Sequence, residues 1–308
     1  MKKVFIDGSV GTTGLQIYER LLSRKDLQLI TLPETLRKDI NARKDALNNA
    51  DIAFLCLPDD ASKEAVTLVE NPSVTIIDAS TAHRTLDSWA YGFAELGKEF
   101  EEKIIKSNRI ANPGCHASGF IALVYPLIKN GLLSPDTLLT AHSITGYSGG
   151  GKKMIAEYES EDKDSLLGSP RQYGVGQTHK HLPEMTKITG LKNAPVFSPI
   201  VADFYSGMQV TVPLFREWLN GDEKDVKDVY RSLYQGPIVS YKEEDSESGF
   251  LSSTKLAGKD SMQIEVYGNG ERMLLVARYD NLGKGASGSA VECMNIKLGV
   301  DKTSGLIL

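Results

Sequence analysis

The chain is short of cysteine: its 308 residues carry only Cys56, Cys115 and Cys293. An odd number at wide spacing argues against a disulfide framework and suits a reducing compartment. Long apolar runs are also missing. No stretch approaches the roughly 18–20 apolar residues of a membrane span. The apolar run after Lys3 stops at Asp7, too early for the core of a signal peptide. A cytoplasmic protein is the expectation. There is no basic surplus either: 35 Lys and Arg stand against 40 Asp and Glu, a net charge of −5. That argues against a general nucleic-acid binder. It leaves room for a small anionic substrate held by a local basic cluster. Internal repeats are lacking. His179 and His181 have no convincing further ligands, so no metal is expected.

What is present is enough apolar sequence, 41%, to bury a core in about two domains. Short apolar strands are expected over 4–6, 27–32, 53–57 and 74–78, with helical stretches such as 62–68 between them. Strands alternating with helices indicate a parallel sheet with crossover helices. A further short strand near Ile110 leads to Asn112-Pro113-Gly114-Cys115, and 117–128 has helical character. Beyond Leu133 the pattern changes. Strand-like runs over 137–145, 208–214, 262–267 and 273–278, several alternating in polarity, suit an open and more antiparallel sheet. Residues 285–298 read as a closing helix and 242–248 as a polar surface loop.

Gly8, Gly11 and Gly14 follow the first strand and open a helix. A tight turn that brings backbone N–H groups to a pyrophosphate requires glycine. The second strand ends without an acid to grip a ribose diol. Glu34 comes late, and Arg37 and Lys38 follow it. Those cations suit the 2′-phosphate of NADP; with Arg43 they equally suit a solvated helix face.

Cys115 sits in a turn between a strand and a helix. A helix N-terminus lowers a thiol pKa and supplies donors to an oxyanion. Cys56 and Cys293, inside apolar elements, fit ordinary buried cysteines. A cysteine nucleophile needs a base or an orienting partner, and the candidates are His83, His116, His142, His179 and His181. The run His179-Lys180-His181 before Pro183 stands out, since two imidazoles and a lysine are costly to bury and useful beside an anion. The segment 143–152, with Ser148, three glycines from Gly149 and then Lys152, suits an anion-holding loop or a flexible connection. In the segment 280–286, Asn281 is placed to hold a carboxamide. Gly283 and Gly285 permit close backbone approach, or simply turn the chain into the helix.

With these segments in view, the sequence resembles the N-acetyl-gamma-glutamyl-phosphate reductase family, and within it the shorter of two types (type 2). Four segments carry the match: GSVGTTGLQIYERL from Gly8, IANPGCHASGF from Ile110, THKHLPEM from Thr178 and DNLGKGASGSAVECMNIKLG from Asp280. The resemblance implies a Rossmann-like NADP-binding domain (1–115 and 286–308) and an inserted α+β catalytic and dimerisation domain (116–285) with a largely antiparallel sheet. This is the semialdehyde-dehydrogenase and glyceraldehyde-phosphate-dehydrogenase arrangement. It implies NADPH-dependent reduction of N-acetyl-L-glutamyl 5-phosphate to the semialdehyde in arginine biosynthesis, by a homodimer or homotetramer. Matched residue by residue, Cys115 falls on the nucleophile, His181 on the acid/base and His179 on a substrate contact. Ser148, Gly149, Lys180 and Arg84 are further candidates for holding substrate. Gly8, Gly11 and Gly14 fall on the cofactor loop, with Thr12, Thr13, Arg37, Pro58, Ser80, Asn281 and Gly285 as further cofactor contacts. His116 stands where many relatives have an aromatic residue, which leaves the choice of base open. Aspartate-semialdehyde dehydrogenase shares the fold and chemistry; the His-Lys-His segment and the NLGKGA tail argue against it. A non-catalytic NADP sensor would need neither Cys115 in a turn nor the paired histidines.

Overall fold

Runs such as Ile52–Leu55 and Thr75–Asp78 are buried at every residue, which only a strand covered on both faces requires. They form the middle of a sheet in the computed structural model, which describes all 308 residues. Its first elements are β1 (Lys2–Asp7), α1 (Thr12–Leu22), β2 (Leu27–Ile30), α2 (Ile40–Asn49), β3 (Ile52–Leu55), α3 (Asp59–Thr67), β4 (Thr75–Asp78), β5 (Ala90–Tyr91), α4 (Lys98–Lys106) and β6 (Arg109–Ala111). The six strands run in the order β2-β1-β3-β4-β6-β5, all pairs parallel. The strand expected over 27–32 stops at Ile30, because Pro33 caps a 3₁₀ turn over Glu34–Leu36. The helix expected from 62 begins at Asp59, after Pro58, with Asp59 and Asp60 in its first turn; acids there suit the helix dipole.

The chain then enters α5 (Cys115–Lys129), β7 (Thr140–Gly146), α6 (Gly151–Tyr158), β8 (Arg171–Gln172), α7 (Leu182–Thr189), β9 (Val196–Ala202), β10 (Met208–Phe215), α8 (Glu223–Leu233), β11 (Val239–Tyr241), β12 (Met262–Gly268) and β13 (Arg272–Tyr279). These build a seven-stranded sheet in the order β11-β12-β13-β10-β7-β9-β8. Most pairs are antiparallel, while β7 with β9 and β11 with β12 are parallel. Buried almost throughout, α5 reads as apolar all round. Pro126 inside it lacks the N–H that would meet the Ala122 carbonyl. The Tyr234 hydroxyl of the following layer donates to that oxygen instead, at 2.7 Å. The short or proline-bearing elements of this half, β8, β9 and β11, and the helices α6, α7 and α8 carry no expectation from the sequence.

The closing helix expected over 285–298 is two elements. Gly283–Ser287 is a π turn, and α9 (Gly288–Leu298) follows. The contacts divide the chain into Met1–Gly114 with Ala286–Ile307, and Cys115–Gly285 with Leu308. Cys115, grouped by sequence with the first domain, opens α5 and belongs to the second unit. In the first unit, α9 lays Ala290, Val291, Cys293, Met294 and Ile296 against Val4, Ile6, Phe54 and Ile77. Ala46, Leu47 and Ala65 of α2 and α3 cover the opposite face with Phe5, Ala53 and Ile76. Helices on both faces of a parallel sheet make this unit a Rossmann-like, doubly wound layer.

Candidate active site

In the first unit, β1 ends at Gly8, whose φ is +89°. A Cβ there would lie 2.3 Å from the Cys56 carbonyl oxygen, and a Cβ on Gly14 would lie 2.3 Å from the Gly8 carbonyl oxygen. Bare Cα atoms let the loop press on β3 and α1 press on the loop. Gly11 is the N-cap of α1, which has no side-chain cap and no acid in its first turn. Such an end receives a phosphate on its N–H groups. Thr12 and Thr13 open the helix. A cavity of about 980 Å³ runs along the loop, lined by Gly8, Ser9, Val10, Thr31, Arg37 and Lys38. Its size and its glycine turn fit a dinucleotide. Arg43 lines the same cavity, but not as a free cation. It is buried, with its guanidinium on Asp7 and Glu64, each at 3.0 Å.

At the end of β4 the buried Asp78 carboxylate accepts from the hydroxyls of Ser62 and Ser80, both at 2.7 Å, and meets His83 Nδ1 at 2.5 Å. Burial alone would raise Asp78; the bonds from His83, Ser80 and Ser62 together hold it below the ordinary carboxylate value. Ser80 is therefore engaged with Asp78, and Pro58 caps α3. Arg84 is buried in this unit. Its Nε donates to the Asn112 carbonyl and its Nη2 to the Ala79 carbonyl, both at 2.8 Å. These bonds brace the Asn112-Pro113-Gly114 approach to Cys115.

In the second unit, Cys115 is the half-buried first residue of α5. Next to it, His116 is buried and held at both nitrogens: Nδ1 meets Ser143 Oγ and Nε2 meets Tyr173 Oη, each at 2.6 Å. Burial, reinforced by His179, lowers His116 to about 3. It is neutral at physiological pH and exerts no cationic effect on Cys115. His179 and His181 stand edge to face, 4.8 Å apart, and lie 5.5 and 5.7 Å from the His116 ring. The His181 N–H donates to His179 Nδ1 at 3.2 Å. Burial and then Lys180 lower His179 to about 4, so it is neutral at physiological pH. His181 is buried at the start of α7, and Lys180 is exposed. Tyr173 is pushed above the usual phenol value by burial and then by Cys115. The structure thus brings Cys115, His116, Tyr173, His179 and His181 into one cluster.

The glycine run is helical and not an open loop: Tyr147–Gly150 is a 3₁₀ turn leading into α6. Gly149 is exposed, and the buried Ser148 hydroxyl accepts from Asn281 Nδ2 at 3.0 Å. Asn281 Oδ1 in turn accepts from the Gly207 N–H, so this amide ties the 3₁₀ turn to the start of β10. Gly285 packs on Cys115, for a Cβ there would be 3.1 Å from Cys115 Cβ. Ser143, Tyr173 and Tyr279 were not singled out by the sequence. None belongs to a spacing pattern, and only folding brings them to α5.

Residues 115–281 match the family model described as semialdehyde dehydrogenase, dimerisation domain, and residues 33–104 the one described as semialdehyde dehydrogenase, NAD binding domain. The chain thus carries a nicotinamide-cofactor-binding domain. Among solved structures, an aspartate semialdehyde dehydrogenase II of Vibrio cholerae superimposes with a TM-score of 0.72 at 16% identity, over 97% of this chain and 98% of that one. The aspartate semialdehyde dehydrogenase with NADP from Candida albicans gives 0.68 at 14%, over 96% and 98%. At that identity the likeness is one of fold. In sequence, the N-acetyl-gamma-glutamyl-phosphate reductase of Rhizobium meliloti is 46% identical over 96% of this chain and 98% of its own length. Relatives from Brucella anthropi (48%, over 96% and 98%) and Trichormus variabilis (43%, over 99% of each) carry the same name. With that identity sustained from end to end, the chain belongs to the N-acetyl-gamma-glutamyl-phosphate reductase family.

Proposed function

We propose that the protein reduces N-acetyl-L-glutamyl 5-phosphate to N-acetyl-L-glutamate 5-semialdehyde, with release of phosphate, as a step of arginine biosynthesis. The observation that carries the reading is Cys115 as the first residue of α5, within the cluster of His116, Tyr173, His179 and His181. A thiol at a helix N-terminus is favoured as thiolate. Cys115 attacks the phosphorylated carboxyl carbon, the bond to the phosphate oxygen breaks, and a thioester remains. The N–H groups at the head of α5 face the oxyanion that forms. His181 supplies and recovers the proton as the sulfur leaves, a role worth about 10²–10⁴-fold. His179 and the exposed Lys180 contact the substrate's anionic groups, with Ser148 and Gly149 behind them; Arg84 acts from further back by bracing the turn before Cys115.

The cofactor of this reading is NADPH. Gly8, Gly11, Thr12, Thr13 and Gly14 hold its pyrophosphate, and Arg37 takes the 2′-phosphate, with Lys38 beside it. Pro58 and Ser80 shape the rest of this unit's contacts with the cofactor. When bound, the reduced nicotinamide supplies the hydride that brings the acyl carbon to the aldehyde level. The protein works in the cytoplasm as a homodimer or homotetramer.

The test is the reverse reaction: N-acetylglutamate semialdehyde plus NADP, with and without inorganic phosphate, followed by NADPH absorbance. Phosphate-dependent turnover that disappears in Cys115→Ser is expected. Turnover with aspartate semialdehyde alone would move the protein to that substrate. Near-normal turnover in Cys115→Ser would remove the thioester.

A further inference from the structure

We propose that Tyr279 is a positioning residue for Cys115: its hydroxyl is inserted into the first turn of α5 and sets the direction in which the nucleophile is presented. This rests on the reading of Cys115 as the nucleophile. In a regular α-helix the Gly119 N–H would donate to the Cys115 carbonyl, four residues back. Here the Tyr279 hydroxyl stands between them. It donates to the Cys115 carbonyl oxygen at 2.5 Å and accepts from the Gly119 N–H at 3.0 Å. The hydroxyl thus bridges the two ends of the helix's first rung and fixes their geometry.

The surroundings are shaped for this insertion. A Cβ on Gly119 would lie 2.7 Å from Tyr279 Oη and 2.9 Å from its Cε1, so any other residue at 119 would expel the ring. Gly285, whose added Cβ would meet Cys115 Cβ at 3.1 Å and Tyr279 Cε2 at 3.4 Å, closes the other side. Tyr279 itself is immobile. It ends β13, with Met208 of β10 opposite on one side and Met262 of β12 on the other, and it is fully buried. The first turn of α5, and with it the Cys115 backbone, is therefore referenced to the middle of the seven-stranded sheet. Without the hydroxyl, the Cys115 carbonyl and the Gly119 N–H are each other's regular helical partners. Tyr279→Phe removes the bridge and leaves no buried polar group unpaired, so the reorientation costs little stability.

The experiment compares the native protein, Tyr279→Phe and Gly119→Ala in the phosphate-dependent reaction. It also measures the pH dependence of Cys115 alkylation by iodoacetamide, read by peptide mapping so that Cys56 and Cys293 do not contribute. Expected for Tyr279→Phe are a kcat lower by about 10- to 100-fold, the scale of a misplaced reacting group, KM within about twofold, and slower Cys115 alkylation with its pH midpoint displaced. Gly119→Ala, which keeps the hydroxyl but pushes it out of the turn, should reproduce the loss. A native kcat and alkylation profile in both variants would overturn the proposal. A steep fall in melting temperature with native alkylation in the folded fraction would overturn it too, making Tyr279 merely structural. A native Cys115 that alkylates no faster than an ordinary thiol would instead sink the reading of Cys115 as nucleophile. Alkylation reports on the thiol whatever the substrate is, so the two failures are distinguishable.

Discussion

At the scale of single residues, the histidines are the instructive case. Sequence presents His179 and His181 as a polar pair beside a lysine and leaves His116 as an anomaly next to the cysteine. The structure reverses the electrostatic emphasis: His116 and His179 are neutral because burial dominates their surroundings. The sign of the consequence follows. A histidine held near 3 in the folded chain binds no proton at pH 5, while in the unfolded chain, near 6.5, it does. Stability is therefore complete above pH 6.5 and lost as pH falls below it. Between pH 7.5 and pH 5 the His116 contribution is about 2 kcal/mol, readable as a lower urea midpoint. His116→Gln should flatten that acid limb; an unchanged limb would show that His116 titrates normally. Cys115 is legible in sequence because Pro113 and Gly114 announce a turn. Tyr173 and Ser143 are not, since they reach His116 from just past β8 and from β7 only after long-range pairing.

At the scale of elements, the β1–loop–α1 unit shows how a glycine spacing becomes a distance. Gly14 lies inside α1 and has nothing conformationally unusual; its requirement is the Gly8 carbonyl against it. Gly14→Ala should push α1 off the loop and weaken NADPH binding by more than about tenfold, a loss of roughly 1.4 kcal/mol or more, measured by quenching of protein fluorescence. Unaltered affinity would mean the helix start does not hold the pyrophosphate. A second element-scale case is β13. Arg278 is fully buried and pairs with the equally buried Glu265 at 2.7 Å, and with Glu247 at 2.7 Å. The polar segment 242–248, read from sequence as a surface loop, thus covers a buried cation. Arg278→Met should cost about 3–5 kcal/mol by leaving the buried Glu265 carboxylate without its cation, seen in the denaturant midpoint. The parallel strands were readable because their apolar runs are buried on both faces. In the second unit, β8 is two residues long and β9 carries Pro199. Neither gives a period to count, so that half of the sheet emerged only in three dimensions.

At the scale of the whole molecule, the match to a dimerisation domain directs attention to the face of the seven-stranded sheet where Leu274 and Val196 remain 43% and 58% exposed. The register places Leu274 opposite Pro213, and Ile144 opposite Ile200, on that same face. We expect a second copy of the chain to cover it. Leu274→Lys should lower the sedimenting mass at micromolar concentration, whereas an unchanged mass would assign assembly to another surface. One feature of the connectivity bears on how the protein is made. β1 to β6 leave the ribosome first, but the core of their unit needs Ala290, Val291, Cys293, Met294 and Ile296 of α9. All of residues 115–285 are synthesised in between, and those residues close a sheet of their own. Since domains fold as units in the order in which they become complete, the inserted unit is finished before the one that surrounds it in sequence. The strands born first wait, with one apolar face covered only in part by Ile17, Leu21 and Ile104, for a helix made after the inserted unit.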